Sequence, residues 1–259
     1  SGFGPYYPYH SYPAYTVVDS GGKIVFHDFS LSGLTGLSAF LADHTGGSGV
    51  YESSDYSKDG EVTALQTATR GNGINIVLLG DAFSDRLVAD GTYDGTMRKA
   101  MEHFFSEEPY KSFRDLFNVY AVNVVSKNEA YGSGAQTALD GFFGDGTHVG
   151  GNDDKCRQYA MKVPGITYDN IDNALIIVMM NRTYYAGTCY MYYPSSGDYG
   201  QGLSIAYFPL GTDDGMFGQL LHHEAGGHGF GKLGDEYIYH NEFIDFCPCT
   251  CCDHVEAFN

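Results

Sequence analysis

His222-His223-Glu224-Ala225-Gly226-Gly227-His228-Gly229-Phe230-Gly231-Lys232-Leu233-Gly234-Asp235-Glu236-Tyr237 decides how this chain is read. Three histidines, three carboxylates and five glycines fall within sixteen residues. Imidazoles and a carboxylate at helical spacing are what a tetrahedral zinc needs. A carboxylate directly after the first histidine points to the side of the metal where a water binds, and can serve as its general base. The bland alternative is a glycine-rich loop with surface histidines. It conflicts with Met216-Phe217-Gly218-Gln219-Leu220-Leu221, which reads as a buried helix entering the histidine pair, capped by Thr212 or Asp213.

The expected roles follow from order and chemistry. His223, His228 and Asp235 are the candidate zinc ligands and Glu224 is the candidate base. Gly231 is placed to end the helix in a left-handed turn that sends Asp235 back toward the metal. One spacing is unusual. His223 and His228 are five residues apart, which on an ideal α-helix rotates them by ~140°. A local π-bulge at Ala225-Gly226-Gly227 absorbs that residue, and paired glycines, at ~1 kcal/mol each in a regular helix, suit a distorted backbone. The competing register pairs Glu224 with His228 and leaves Ala225 in the base position.

The stretch resembles the His-Glu-x-x-His signature, and His223 to Tyr237 is similar to that of the bacterial IgA-cleaving metallopeptidase family. The likeness continues in Ile74-Asn75-Ile76-Val77-Leu78-Leu79-Gly80-Asp81-Ala82-Phe83, Phe104-Phe105, Pro109-Tyr110, Phe117-Asn118-Val119-Tyr120 and the strand from Ala174 to Asn181. It covers roughly residues 69 to 259. It implies an α/β, zincin-like catalytic domain with a mixed sheet and an active-site helix. It further implies one catalytic zinc and a secreted endopeptidase hydrolysing protein or peptide substrates. The expected location is extracellular, at the bacterial cell surface or in the periplasm. It also implies that Leu203 to Phe208, the strand before the helix, is an open edge to which a peptide adds. In such a family more catalytic domain follows, so the chain is expected to be a shortened form or a fragment. A rival reading is a catalytically impaired peptidase-fold surface protein that binds metal, glycan or protein.

Composition narrows the partners. A net charge of -18, with only 14 Lys and Arg, disfavours nucleic acid. No run of eighteen apolar residues predicts a membrane span. The pairs Asp153-Asp154 and Asp213-Asp214 lack calcium-loop spacing, so calcium is unsupported and solvated caps are the better reading. Four of six cysteines lie in Cys247-Pro248-Cys249-Thr250-Cys251-Cys252, which favours disulfides over metal, with Cys156 and Cys189 free to pair with each other or with that cluster.

The expected organisation is a Tyr/Pro-rich and β-rich segment over 1–68 and a catalytic domain over 69–259. Strands are expected over 23–29, 74–79, 119–125, 172–181 and 203–208, and a helix over 96–105. Alternation of strand and helix argues for an α/β layer structure.

Overall fold

The computed structural model describes residues 15–18, 24–28, 51–132, 134–192 and 202–235. Two strands, β1 (Tyr15–Val18) and β2 (Ile24–Asp28), form an antiparallel pair. The main body is a six-stranded mixed sheet. Its strands are β3 (Val62–Gln66), β4 (Ile74–Asp81), β5 (Phe117–Val122), β8 (Ala174–Met180), β9 (Thr188–Met191) and β10 (Ser204–Pro209), in the order β3-β5-β4-β8-β10-β9. The four inner strands are parallel and the two edge strands run against them. The short strands β6 (Phe142–Phe143) and β7 (Val149–Gly150) form a separate hairpin.

β8 is apolar throughout and β4 is apolar from Ile76 to Leu79 because both faces of the sheet are covered there. Every residue of β8 is buried. Side chains alternate between two cores. Ile76, Leu78, Leu175 and Ile177 face one side. There they meet α2 (Thr92–Phe104) through Met97, Ala100 and Phe104, and α4 (Asp214–Leu221) through Phe217 and Leu221. Val77, Leu79, Ile176 and Val178 face the other, against Cys156 and Ala160 of α3 (Asp153–Ala160). A short helix, α1 (Asp85–Ala89), follows β4.

Two expectations change. Leu203 to Phe208 was expected as the open edge. Its counterpart β10 is an inner strand, parallel to β8 on one side and antiparallel to β9 on the other. The edge belongs to β9, a four-residue strand too short to show a sheet period. The structure also draws sheet residues from upstream of residue 69. Strand β3 pairs with β5, the Ser53 amide donates to the Lys127 carbonyl at 2.8 Å, and the Val125 amide donates to Asp59 at 2.9 Å. Among the described residues no helix is long and apolar enough to cross a membrane.

Candidate metal centre

Asp213 caps α4: its backbone is extended and its side chain accepts from the Met216 amide at 2.9 Å. Phe217, Leu220 and Leu221 then anchor the helix in the core. At His222 the winding changes, and His222–Phe230 form a nine-residue π-helix, longer than the local bulge expected at Ala225-Gly226-Gly227. Its i→i+5 bond from the Gly231 amide to the Gly226 carbonyl is 2.9 Å long. A β-carbon at Gly229 would come within 2.7 Å of Leu175 Cδ1 and 3.2 Å of the Glu224 carbonyl oxygen, so the π-helix packs closely on the sheet there.

The wide turns bring residues five apart onto one side. The Nε2 atoms of His223 and His228 are 3.2 Å apart, and Asp235 Oδ1 lies 3.2 Å from the first and 3.1 Å from the second. Three donors on one tetrahedral zinc at ~2.0–2.1 Å are about 3.3 Å from each other, so this triangle fits that ion. Burial lowers the pKa of His223, with the neighbouring His228 second, which favours the neutral, ligating imidazole. His228 Nδ1 donates to the Leu233 carbonyl at 2.7 Å, since a carbonyl can only accept. That fixes the tautomer and turns the Nε2 lone pair toward the triangle.

Glu224 stands beside this group, with Oε1 3.9 Å from His223 Nε2. It is 5% exposed, and its Oε2 has no hydrogen-bond partner among the described residues. Burial, acting against the charged form, pushes its carboxyl up to about 7. A carboxylate poised near neutrality is suited to take and return a proton. The alternative register, with Glu224 and His228 as the paired ligands, is not the arrangement seen: the triangle is built from His223, His228 and Asp235.

The route to Asp235 differs from expectation. Gly231 is right-handed (φ -73°), and the left-handed residue is Lys232 (φ 55°). Gly231 is needed for close approach instead, since a β-carbon there would come within 2.9 Å of the Gly227 carbonyl oxygen. Lys232 is secured by its ammonium, which donates to the Gly202 carbonyl at 2.8 Å and to Ser204 Oγ. Leu233 then donates back to the Gly227 carbonyl at 3.1 Å, and Asp235 follows.

His222 turns away from the triangle, toward Ser106 Oγ at 3.2 Å. The roles of three surrounding residues are seen only in the structure: Gly187, which makes room for Glu224; Tyr110, which bonds to Gly226; and Lys232. Glu236, Tyr237 and the cysteines from Cys247 to Cys252 lie outside the described residues. Cys156 and Cys189 do not pair with each other, and among the described residues neither forms a disulfide. They sit on opposite faces of the sheet, one in each core.

A sequence model of the family described as IgA Peptidase M64 matches residues 62–246, most of the chain. The chain belongs to the IgA peptidase M64 family. Membership in this metallopeptidase family makes a peptidase hydrolase acting on protein substrates the class to which the chain is assigned, and it implies a metal cofactor. The M64 match begins at β3, in agreement with that strand's place in the sheet. No curated protein matches the chain.

Proposed function

We propose that this chain is a secreted, zinc-dependent endopeptidase. In this reading His223, His228 and Asp235 hold the ion and Glu224 is the general base. The observation that carries it is the triangle of three donors, 3.1–3.2 Å on a side, with a buried carboxylate beside it. A bound zinc would lower the pKa of a water and polarise the scissile carbonyl. Glu224 accepts a proton from the attacking water and passes it to the leaving amine. Its oxygen without a protein partner suits the first role, and its pKa near neutrality suits both. An extended substrate adds alongside β9, which among the described residues pairs with no strand other than β10 and packs against the π-helix, so that the peptide passes the site. The acidic surface disfavours strongly acidic substrates.

The test is turnover of an unstructured protein by the purified chain. Chelation should abolish it and zinc should restore it. Cleavage that survives both chelation and Glu224→Gln would overturn the proposal. Zinc binding without any cleavage would favour the impaired, metal-binding alternative.

A further inference from the structure

The wide turn that brings the two histidines together has an unusual centre. The carbonyl oxygen of Gly226 accepts from the Gly231 amide, and a second donor reaches the same oxygen: the Tyr110 hydroxyl, at 2.7 Å. Tyr110 arrives from the connection between α2 and β5. Its ring covers Gly226 so closely that a β-carbon there would lie 3.2 Å from Cε2. The same ring is stacked on His222 (centroids 6.5 Å apart, 27° between planes) and edge-on to Phe230 (5.6 Å, 86°). One side chain therefore touches the first, middle and last residues of the π-helix. Phe104 backs it at 4.5 Å.

Within this set of contacts the hydroxyl bond is the one that distinguishes a wide turn from a narrow one. In an α-helix the Gly226 carbonyl would accept from the amide four residues on and lie along the axis. Here it accepts from five residues on, and a second bond to the same oxygen rewards its tilt toward Tyr110. Burial raises the phenol's pKa, so the hydroxyl stays protonated and able to donate at neutral pH.

We infer that Tyr110 is a positioning residue that holds the π-helix open at Gly226 and thereby sets the spacing of His223 and His228. The inference rests on the metal-site reading for its consequence, but the effect on the turn is independent of any ion.

Tyr110→Phe keeps the ring and removes the donor. In metal-free protein the Gly231 amide, which shares the acceptor, should exchange its hydrogen faster. Zinc affinity should fall by ~10-fold or more, the usual effect of losing a group that supports a ligand. The visible spectrum of the cobalt-substituted chain should change with it. Deletion of Gly227 returns the histidines to a spacing of four, and in that background Tyr110→Phe should leave zinc affinity unchanged. If that deletion does not fold, Gly231 exchange and the cobalt spectrum of Tyr110→Phe decide alone. Unchanged exchange together with unchanged zinc affinity overturns the inference, as does an equal loss of affinity with and without Gly227. Faster exchange in Tyr110→Phe than in the parent, with a parental chain that binds no zinc, would sustain the role of Tyr110 in the turn and overturn the metal reading instead.

Discussion

The Glu224 carboxylate occupies the space that a side chain on Gly187 would need. A β-carbon at Gly187 would lie 2.3 Å from Oε1 and 2.7 Å from Cδ of Glu224. Gly187 does not have a positive φ, so what demands glycine there is this contact and not the backbone. The residue before β9 and the residue after the first histidine thus fit as a pair.

Gly187→Ala should therefore displace the base while leaving the triangle in place. Overpacking of this kind costs ~1–3 kcal/mol. We expect zinc content to stay at the parental level while kcat falls by at least tenfold. Thermal unfolding and metal analysis run alongside the kinetics check this. Full activity in the alanine variant would show that Glu224 has no fixed position.

Glu224→Gln preserves shape and removes the proton acceptor. We expect a folded, zinc-loaded protein with peptidase activity reduced by ~10²–10⁴-fold, the usual value of general-base catalysis. Loss of zinc instead would make Glu224 a ligand.

His228→Ala and Asp235→Asn each remove one corner of the triangle. Elemental analysis of protein purified without chelator or metal-affinity tag should give about one zinc for the parent and much less for either variant. His222→Ala should retain the ion, because its ring faces Ser106. Undiminished zinc in His228→Ala would refute the assignment.

Asp85 ties residues 51–55 to the domain. It accepts from the Tyr51 hydroxyl and from the Ser54 and Asp55 amides, both at 2.9 Å. The Tyr51 hydrogen bond, foremost, holds its carboxyl down at about 2. A carboxyl whose pKa is lower in the folded state stabilises above its unfolded value of ~3.9 and loses that contribution as the pH falls toward 2. Protection of the Ser54 and Asp55 amides, taken against the intrinsic exchange rate at each pH, should fall between those limits. In Asp85→Asn it should be low throughout, with no further fall over the same range.

Cys156 and Cys189 should both resist alkylation in the native protein and both react after denaturation without reductant. Burial pushes each thiol up to about 12, and the thiolate is the reactive form. Peptide mapping separates them from the cysteines of the 247–252 run. Rapid labelling of Cys189 in the folded chain would contradict its packing.

What the chain reveals without its structure is what is local. Ile74–Asp81 and Ala174–Met180 are readable as strands because burial on both faces leaves an unbroken apolar run. His223, Glu224, His228 and Asp235 stand out in the chain by residue type and order, whereas the convergence of His223, His228 and Asp235 depends on the wide turns of the π-helix and the turn at Lys232, which a spacing of five does not announce. The cap is readable to within one residue, Thr212 or Asp213, and the structure places it at Asp213. The edge strand is not: Thr188-Cys189-Tyr190-Met191 has too few residues to show a period, and only its pairing with β10 identifies it. The roles of Gly187 and Tyr110 are equally hidden, since they lie in contacts with residues 37 and 116 positions away. A left-handed turn favours glycine, and Lys rarely adopts φ 55°, so the sequence points to Gly231; the side-chain bonds of Lys232 to Gly202 and Ser204 hold the turn at Lys232 instead.

Asp235 lies twelve positions after His223. Closing so short a segment costs little chain entropy, so the three donors meet often even when the sheet is not formed. Folding contributes their rigidity more than their proximity. An ion bound by these groups keeps some affinity for the unfolded chain, and so raises the melting temperature by less than its affinity for the folded domain alone would give.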